Sequence, residues 1–282
     1  QNNLLIIIFL LLQGLFLLAE TPPLYPVQQT PKKLTPLMER ELKGCFDFFW
    51  EEWNDDPKSP TSGMTNGAYI GIHNYVPLAI EEQGFYFTAI IIGVERGWIT
   101  REEGEKRITI TLETLNKLKR IYGFWYHFLD ADTGKRGWKD SHNIELSNAS
   151  TGTMLLGALS AAEYFGGEIE KLTYELYSAM DWKWFTNPVT KHPYLACYPE
   201  DLPKNVPHGI NKEGMFGGWS AYSEHIFLYI LAAGAPREEF STGADPYYAM
   251  KTYKGSYKGE EFIFCGSGAA FTYQWTHAFI DF

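Results

Sequence analysis

Cysteine is scarce in this chain of 282 residues, which contains only Cys45, Cys197 and Cys265, with no CxxC spacing. Three such cysteines form at most one disulfide and no thiolate zinc site, which excludes a small disulfide-stabilised module. The seven histidines lack HxxxH and HExxH spacing, and the sequence has neither a glycine-rich phosphate loop nor a GxSxG turn. We therefore expect no metal site and no cofactor.

Positive charge is also in short supply, since 24 Lys and Arg residues face 34 Asp and Glu residues, for a formal net charge of −10. Nucleic acids and anionic membrane surfaces attract clustered basic residues, and this chain has no such cluster, so neither is an expected partner. Aromatic residues, in contrast, make up 16% of the chain and include nine Trp. Many must lie in the core, but a surplus beside polar loops suits stacking on a flat apolar ligand face, such as a pyranose ring of an oligo- or polysaccharide.

The first 20 residues differ in composition from the rest of the chain. Residues 4–18 are apolar except for Gln13 and Gly14, a run too short to span a bilayer comfortably and typical of the central region of a signal peptide. No basic residue or initiator methionine precedes the run, so we expect the natural start to be missing. A buried N-terminal helix is the alternative interpretation. The expected localisation is periplasmic or secreted, with no stable membrane anchor beyond this segment.

Five prolines and no hydrophobic period mark residues 21–36 as a linker, so we expect one domain over residues 37–282, after the signal-peptide-like residues 1–20. Hydrophobic periodicity predicts helices of two kinds within this domain. Buried helices, apolar on nearly all sides, are predicted at 85–94, 148–165 and 223–233. Helices with apolar residues along one face are predicted at 37–53, at 169–180, and after the capping box of Thr100 and Glu103, where the face comprises Ile108, Leu112, Leu115 and Leu118.

Alternation of these two kinds of helix predicts an inner and an outer layer. The expected fold class is therefore all-α, an (α/α) barrel whose loops at one end form the ligand cleft. Clear strand alternation is confined to residues 262–265. A solenoid of helix pairs is the alternative fold, although the sequence shows no repeat of fixed period.

Several segments carry a resemblance to a known family, and they occur in the family's order from about residue 37 to the last residue. They are CFDFFWEE (45–52), IGVERGWITREE (92–103), GFWYHFLDADTGKR (123–136), ELSNASTGTMLLGALSAAEYF (145–165), AYSEHIFLYILAAGAP (221–236), TYKGSYKGEEFIF (252–264) and FTYQWTHAFIDF (271–282). The chain resembles the bacterial glucoamylase-like family, related to endo-β-1,2-glucanases and to a similar domain of cyclic β-1,2-glucan synthases. The resemblance implies an (α/α) barrel that cleaves β-1,2-linked glucan, apparently by inversion. Because the family continues past the last segment, we expect the barrel to be incomplete at its C-terminal end.

Glycoside hydrolysis needs two carboxyl groups that flank the scissile bond. The resemblance implies that Glu224, in AYSEH, is the general acid and that Asp281 is the second carboxylate. Glu145 does not match the family's acidic position, but it could reach the cleft and is another candidate for that role. Glu224 has an alternative role as a first-turn residue that complements the helix dipole, and Asp281 as an ordinary surface residue.

The sequence departs from the family at two places. Ser150 stands before Thr151 where the family carries an acidic residue, and losing one member of a cooperating pair usually removes most activity. Glu81 and Glu82 stand where relatives carry small or apolar residues, and we interpret them as a local variation.

A sugar-binding surface is expected beside the glycine-rich turns, built from aromatic rings that stack on sugar C–H groups and from polar side chains that bond to hydroxyls. For any single ring, packing in the core is the alternative. The predicted binding residues are Tyr126, His127, Phe128, Arg136, Trp138, Trp219, Tyr222, Gln274, Trp275 and His277.

These observations together predict an exported glycoside hydrolase that acts on a β-glucan, most specifically a β-1,2-linked glucan. A non-catalytic or weakly active glycan-binding protein on the same fold is the first alternative. A transglycosylating domain of a glucan synthase is the second, which the signal-like start disfavours.

Overall fold

Residues 34–68, 76–137, 143–200, 211 and 214–280 are described by the computed structural model of the chain. The chain divides into a first unit, Gln1–Lys43, and a second, Gly44–Phe282. Only the last ten residues of the first unit belong to the described part, so the signal-peptide-like segment lies outside it, as does nearly all of the linker. The domain boundaries stay predictions.

Eight α-helices and six short strands occur in the described residues. The helices are α1 Pro36–Glu51, α2 Ile80–Glu95, α3 Arg101–Lys117, α4 Asn148–Phe165, α5 Gly167–Ser178, α6 Ile226–Ala233, α7 Asp245–Ala249 and α8 Phe271–Gln274. The strands are β1 Leu78–Ala79, β2 Phe128–Leu129, β3 Ala196–Cys197, β4 Met215–Phe216, β5 Tyr253–Tyr257 and β6 Glu260–Phe264. Short 3-10 helices lie at Glu238–Phe240 and Thr276–Ala278.

Local capping explains why several helices begin and end where the sequence predicts. The capping box of α3 is formed, with the Glu103 amide donating to Thr100 Oγ1 and the Thr100 amide donating to Glu103 Oε2. Helix α4 covers the predicted residues because the Ser147 hydroxyl accepts from the Ser150 amide at its start and Gly166 ends it with φ of +72°. Helix α6 begins at Ile226, three residues later than predicted.

The inner layer is formed by α2 and α4, which are mostly buried and pack directly against each other. Their backbones approach closely at two glycines: a Cβ on Gly84 would lie 2.2 Å from the Thr153 carbonyl oxygen, and a Cβ on Gly157 would lie 2.1 Å from the Gly84 carbonyl oxygen. No larger side chain fits at either position. The close contact therefore depends on both glycines.

The outer layer is formed by α3 and α5, which pack against each other and against the inner helices. Each buries one face and exposes the other; in α3 the buried face includes the predicted Ile108, Leu112 and Leu115. An amphipathic helix outside a fully apolar one is the arrangement that periodicity predicted. The two-layer (α/α)-barrel fold is thus confirmed.

The strands form three antiparallel pairs: β1 with β2, β3 with β4, and β5 with β6. The strand predicted at 262–265 is confirmed in β6, whereas the two pairs of two-residue strands were not predicted. Two residues are too few to show alternation of apolar and polar side chains, so the sequence carries no signal for them.

The three cysteines are free thiols, of which Cys197 and Cys265 are buried. Across the described ranges, no helix is both long enough and apolar enough to cross a membrane. Within the same ranges, no group of three or more His, Cys, Asp or Glu side chains is arranged to hold a metal ion.

Candidate active site

A cavity of about 330 Å³ opens beside the N-terminal ends of the inner helices. Its wall combines carboxylates, two histidines and aromatic rings, drawn from segments far apart in the chain. The lining residues are Glu81, His127, Glu145, Ser147, Ala149, Ser150, Thr153, Leu195, Ala196, Phe216, Trp219, Glu224, His225, Phe227, Phe271 and Trp275. The volume lies at the low end of the range of small-molecule sites.

Hydrogen bonds between backbone segments bring three polar residues of this wall together, Glu81, His127 and Glu145. Strand β1 pairs with β2 so that Ala79 faces Phe128, and the Ile80 amide, at the start of α2, donates to the His127 carbonyl at 3.1 Å. The His127 amide in turn donates to the Glu145 carbonyl at 2.9 Å. The first turn of α2, residue 127 and residue 145 therefore lie side by side, although up to 64 positions separate them in the sequence.

The side chains of Glu81, His127 and Glu145 form a continuous hydrogen-bonded group. His127 Nδ1 lies 2.7 Å from Glu145 Oε1, and His127 Nε2 lies 2.8 Å from Glu81 Oε1. Burial by itself lowers the pKa of His127, but its hydrogen bonds to Glu145 and Glu81 and their negative charges raise it to about 10. The imidazole is therefore a cation at neutral pH.

The carboxyl group of Glu145 responds to this cation. Burial favours its neutral form, yet the hydrogen bond and the charge of His127 dominate and hold the pKa of Glu145 below its usual value. Next to Glu81, burial and then the charge of Glu81 raise the pKa of Glu82 to about 7. Glu82 does not line the cavity.

Glu224 lines the cavity from the turn that precedes α6. The sequence placed it within the helix, but helical hydrogen bonding begins only at Ile226. The Ser223 hydroxyl donates to Glu224 Oε2, and the Glu224 carbonyl accepts from Thr276 Oγ1 at 2.8 Å. These bonds orient both the side chain and the backbone of the predicted acid.

Two of the predicted aromatic residues line the cavity, Trp219 and Trp275. Trp275 is anchored by a hydrogen bond from its Nε1 to Thr153 Oγ1 at 3.0 Å. Trp219 stacks on His225, with ring centroids 4.3 Å apart. Both rings are partly exposed, which leaves faces available to a sugar.

Other predicted binding residues do not line the cavity. Tyr126 is 6% exposed and lies under the Arg136 guanidinium, whose Nε donates to the Ile144 carbonyl, so both side chains are committed to packing and to backbone support. Phe128 stacks on the His127 ring, and Tyr222 lines a separate hollow with Tyr253 and Phe264. For Tyr126 the core alternative is thus the better interpretation.

The remaining predicted residues are placed as follows. Gln274 and His277 are exposed and are not among the residues that line the cavity. Trp138 and Asp281 lie outside the described residues, so their roles stay predictions. Ser150, at the position where the family carries an acidic residue, is buried and lines the cavity.

Sequence reasoning missed three prominent residues of the wall: Glu81, Phe216 and His225. A signal was present for Glu81, because two consecutive carboxylates at the start of an apolar helix are costly unless they have partners. The sequence alone left open whether these charges are solvated at the helix start or buried at a cost, and the interpretation as a local variation did not identify the partner. Phe216 and His225 are adjacent to recognised residues but match no motif of their own.

Comparisons with known proteins agree with this architecture. No family model matches the chain. An exo β-1,2-glucooligosaccharide sophorohydrolase of Parabacteroides distasonis is 26% identical over 261 residues, which cover 81% of this chain and 35% of that protein. This chain therefore spans about a third of the length of that relative.

Solved structures show the same fold. An endo-β-1,2-glucanase of Chitinophaga pinensis, in complex with sophorotriose and glucose, has a TM-score of 0.65 at 23% identity, over 84% of this chain and 57% of the other. A Bacteroides uniformis protein named as a glucoamylase candidate has a TM-score of 0.61 at 24% identity, over 78% of this chain and 51% of the other. The resemblance found in the sequence is confirmed: the chain is similar to a protein named as a β-1,2-glucooligosaccharide sophorohydrolase and has the glucoamylase-like (α/α)-barrel fold.

Proposed function

We propose that this chain is an exported glycoside hydrolase that cleaves β-1,2-linked gluco-oligosaccharides with inversion. The observation that carries the proposal is the meeting of two carboxylates from distant segments, Glu224 and Glu145, in one cavity with Trp219 and Trp275. The names of the similar proteins support β-1,2-linked glucan as the substrate class.

The two carboxylates have different surroundings, as an acid and a base require. In the proposed reaction, Glu224 donates a proton to the glycosidic oxygen as the bond to the anomeric carbon breaks. Glu145, ionised beside the His127 cation, removes a proton from the water that attacks the anomeric carbon from the opposite face. Asp281 remains the other candidate base. The excess of carboxylates over cations in the wall suits the positive charge that develops on the sugar ring.

A glycan-binding protein without turnover is the second candidate. It is favoured by Ser150, which lines the cavity with a hydroxyl where the family carries a carboxyl. Such a protein would keep Trp219 and Trp275 for stacking and would lack an efficient base.

The direct test is incubation of the purified chain with β-1,2-linked gluco-oligosaccharides, with β-1,3-linked ones as controls. Products are followed by chromatography and by proton NMR of the fresh anomer. Release from the β-1,2-linked substrate with the α-anomer formed first is the expected result. Binding without any release would establish the second candidate, and a β-anomer formed first would contradict inversion. Fusing residues 1–36 to a reporter that is active only outside the cytoplasm tests export separately.

A further inference from the structure

Glu81 occupies the far side of His127 from Glu145. It lies in the first turn of α2, where the helix dipole favours a carboxylate, and its side chain is 18% exposed. One oxygen, Oε1, is 2.8 Å from His127 Nε2, and the other, Oε2, is buried with no partner among the described residues. A carboxylate in this position needs a strong partner, and His127 is the one it has.

Hydrogen-bond chemistry then restricts the imidazole to one state. A neutral imidazole has a single N–H donor, so it can satisfy only one of two flanking carboxylates and turns an acceptor nitrogen towards the other. Only the doubly protonated ring donates to Glu81 and to Glu145 together, at 2.8 and 2.7 Å. With both carboxyl groups ionised, this geometry requires a cationic ring whose two donors are both engaged, and the ring is further held by stacking on Phe128, with ring centroids 4.0 Å apart.

We propose that Glu81 is a positioning residue of the active site, which keeps His127 doubly protonated and thereby fixes the orientation and charge of Glu145. The effect of Glu81 on catalysis rests on the proposed function, whereas its effect on His127 does not. Glu81 itself acts only through the imidazolium and needs no contact with the sugar.

The charged groups around His127 define the control. Glu82 from the same helix turn is a second, largely buried carboxylate, but its side chain makes no hydrogen bond to His127. Arg136 acts on the group from the side of Glu145. Substitution of Glu82 by Gln therefore removes one nearby negative charge that makes no hydrogen bond to the ring. Substitution of Glu81 by Gln removes the charge of a carboxylate that the ring contacts and leaves at most a neutral amide oxygen as the acceptor.

The first experiment is an NMR titration of the histidine side chains in the full chain without substrate, for wild type, Glu81→Gln and Glu82→Gln. His127→Gln identifies the resonance. We expect the wild-type ring to stay protonated on both nitrogens at pH 8. In Glu81→Gln the midpoint falls by about 1–3 pH units, and in Glu82→Gln it falls by clearly less. A neutral wild-type ring at pH 8, or equal shifts in the two variants, would overturn the proposal. A neutral ring in the wild type would overturn the proposal even where a variant fails to fold.

The second experiment concerns catalysis. Glu81→Gln is expected to lower kcat about tenfold to a hundredfold with KM changed less than about twofold, because Glu145 loses its fixed orientation. In a Glu145→Gln background the same change should cost nothing further, since the residue it positions is gone. An equal loss in both backgrounds would contradict the positioning role. If the wild type does not hydrolyse the substrate, the proposed function fails, and the titration still decides whether Glu81 controls His127.

Discussion

His127 and His225 line the same cavity and both are largely shielded from water, yet their surroundings differ in kind. His127 lies between two carboxylates, which raise its pKa to about 10 despite burial. His225 is 1% exposed, stacks on Trp219, and neither ring nitrogen has a hydrogen-bond partner in the described part of the chain. Burial, with a smaller contribution from His192, lowers its pKa to about 3.

The comparison shows that the two carboxylate partners of His127 outweigh burial, whereas burial alone is enough to keep His225, which has no such partner, neutral. It also distinguishes the surroundings of the two proposed catalytic carboxylates, Glu145 and Glu224. Glu145 lies beside a cation that stabilises its ionised form, whereas Glu224 adjoins a neutral ring and forms no ion pair with any described residue. A general base must be ionised, and the His127 cation favours the ionised form of Glu145.

The largest expected effect concerns Glu224, the carboxylate next to the neutral His225. Glu224→Gln keeps the shape of the side chain but has no proton to donate, so we expect hydrolysis to fall by roughly 10²–10⁴-fold with binding nearly intact. Reducing-end release and calorimetry measure the two quantities. Glu170→Gln, on the exposed face of α5, is the control and should leave both unchanged. Full activity in Glu224→Gln would remove this residue from the mechanism.

Ser150 is a position at which a carboxylate can be added to the cavity wall. Because it lines the cavity, Ser150→Asp adds a carboxylate at the family's acidic position and should raise a weak hydrolytic activity, by up to about a hundredfold. Ser150→Asn, of similar size but uncharged, is the matched control. An increase in both variants would assign the effect to shape instead of charge, and no activity in any variant favours the binding protein.

A smaller effect, on oligosaccharide affinity, is expected when the aromatic residues that line the cavity are replaced. Replacement of Trp219 or Trp275 by Ala should weaken oligosaccharide binding by roughly 1–3 kcal/mol through loss of one stacking contact. Trp184→Ala is the control, because Trp184 stacks on Tyr122 and does not line the cavity. Isothermal calorimetry on folded variants gives the comparison. Unchanged affinity in both cavity variants would return these rings to a packing role.

The two histidines also predict opposite pH dependences of stability. The contribution of His127, whose folded pKa is raised, is fully present below its unfolded pKa of about 6.5 and is lost as the pH rises through about 10. His225, whose folded pKa is lowered, destabilises the fold progressively as the pH falls below about 6.5 towards 3.

Thermal melting between pH 3 and pH 10 checks this, with each effect expected at roughly a few kcal/mol or less. His127→Gln should flatten the alkaline decline and His225→Gln the acidic one. The reverse assignment, or two unaltered profiles, would show that these rings do not have the charges inferred from their surroundings.

Part of the site could be predicted from the sequence because its residues lie in recognisable segments. Glu224, Glu145, His127, Trp219 and Trp275 were all expected, and all line one cavity. Tyr126 was also expected to line the cavity, but its ring is buried in the core. The sequence does not show whether the ring of such an aromatic residue faces the core or the cavity. Glu81 was dismissed because its partner, His127, lies 46 positions away.

The positions of α3 and α4 were determined by the sequence itself, because caps and apolar periods act between residues a few positions apart. The Thr100 and Glu103 pair starts α3, and Ser147 and Gly166 bound α4, wherever these helices pack. Tertiary structure alone decided which carboxylates meet and which histidine is charged. The two-residue pairing of β1 with β2 brings Glu81 to His127, and the His127 amide bond to the Glu145 carbonyl brings Glu145 to the other side of the ring. The pKa of His127 is set by these two neighbours, which no local pattern specifies.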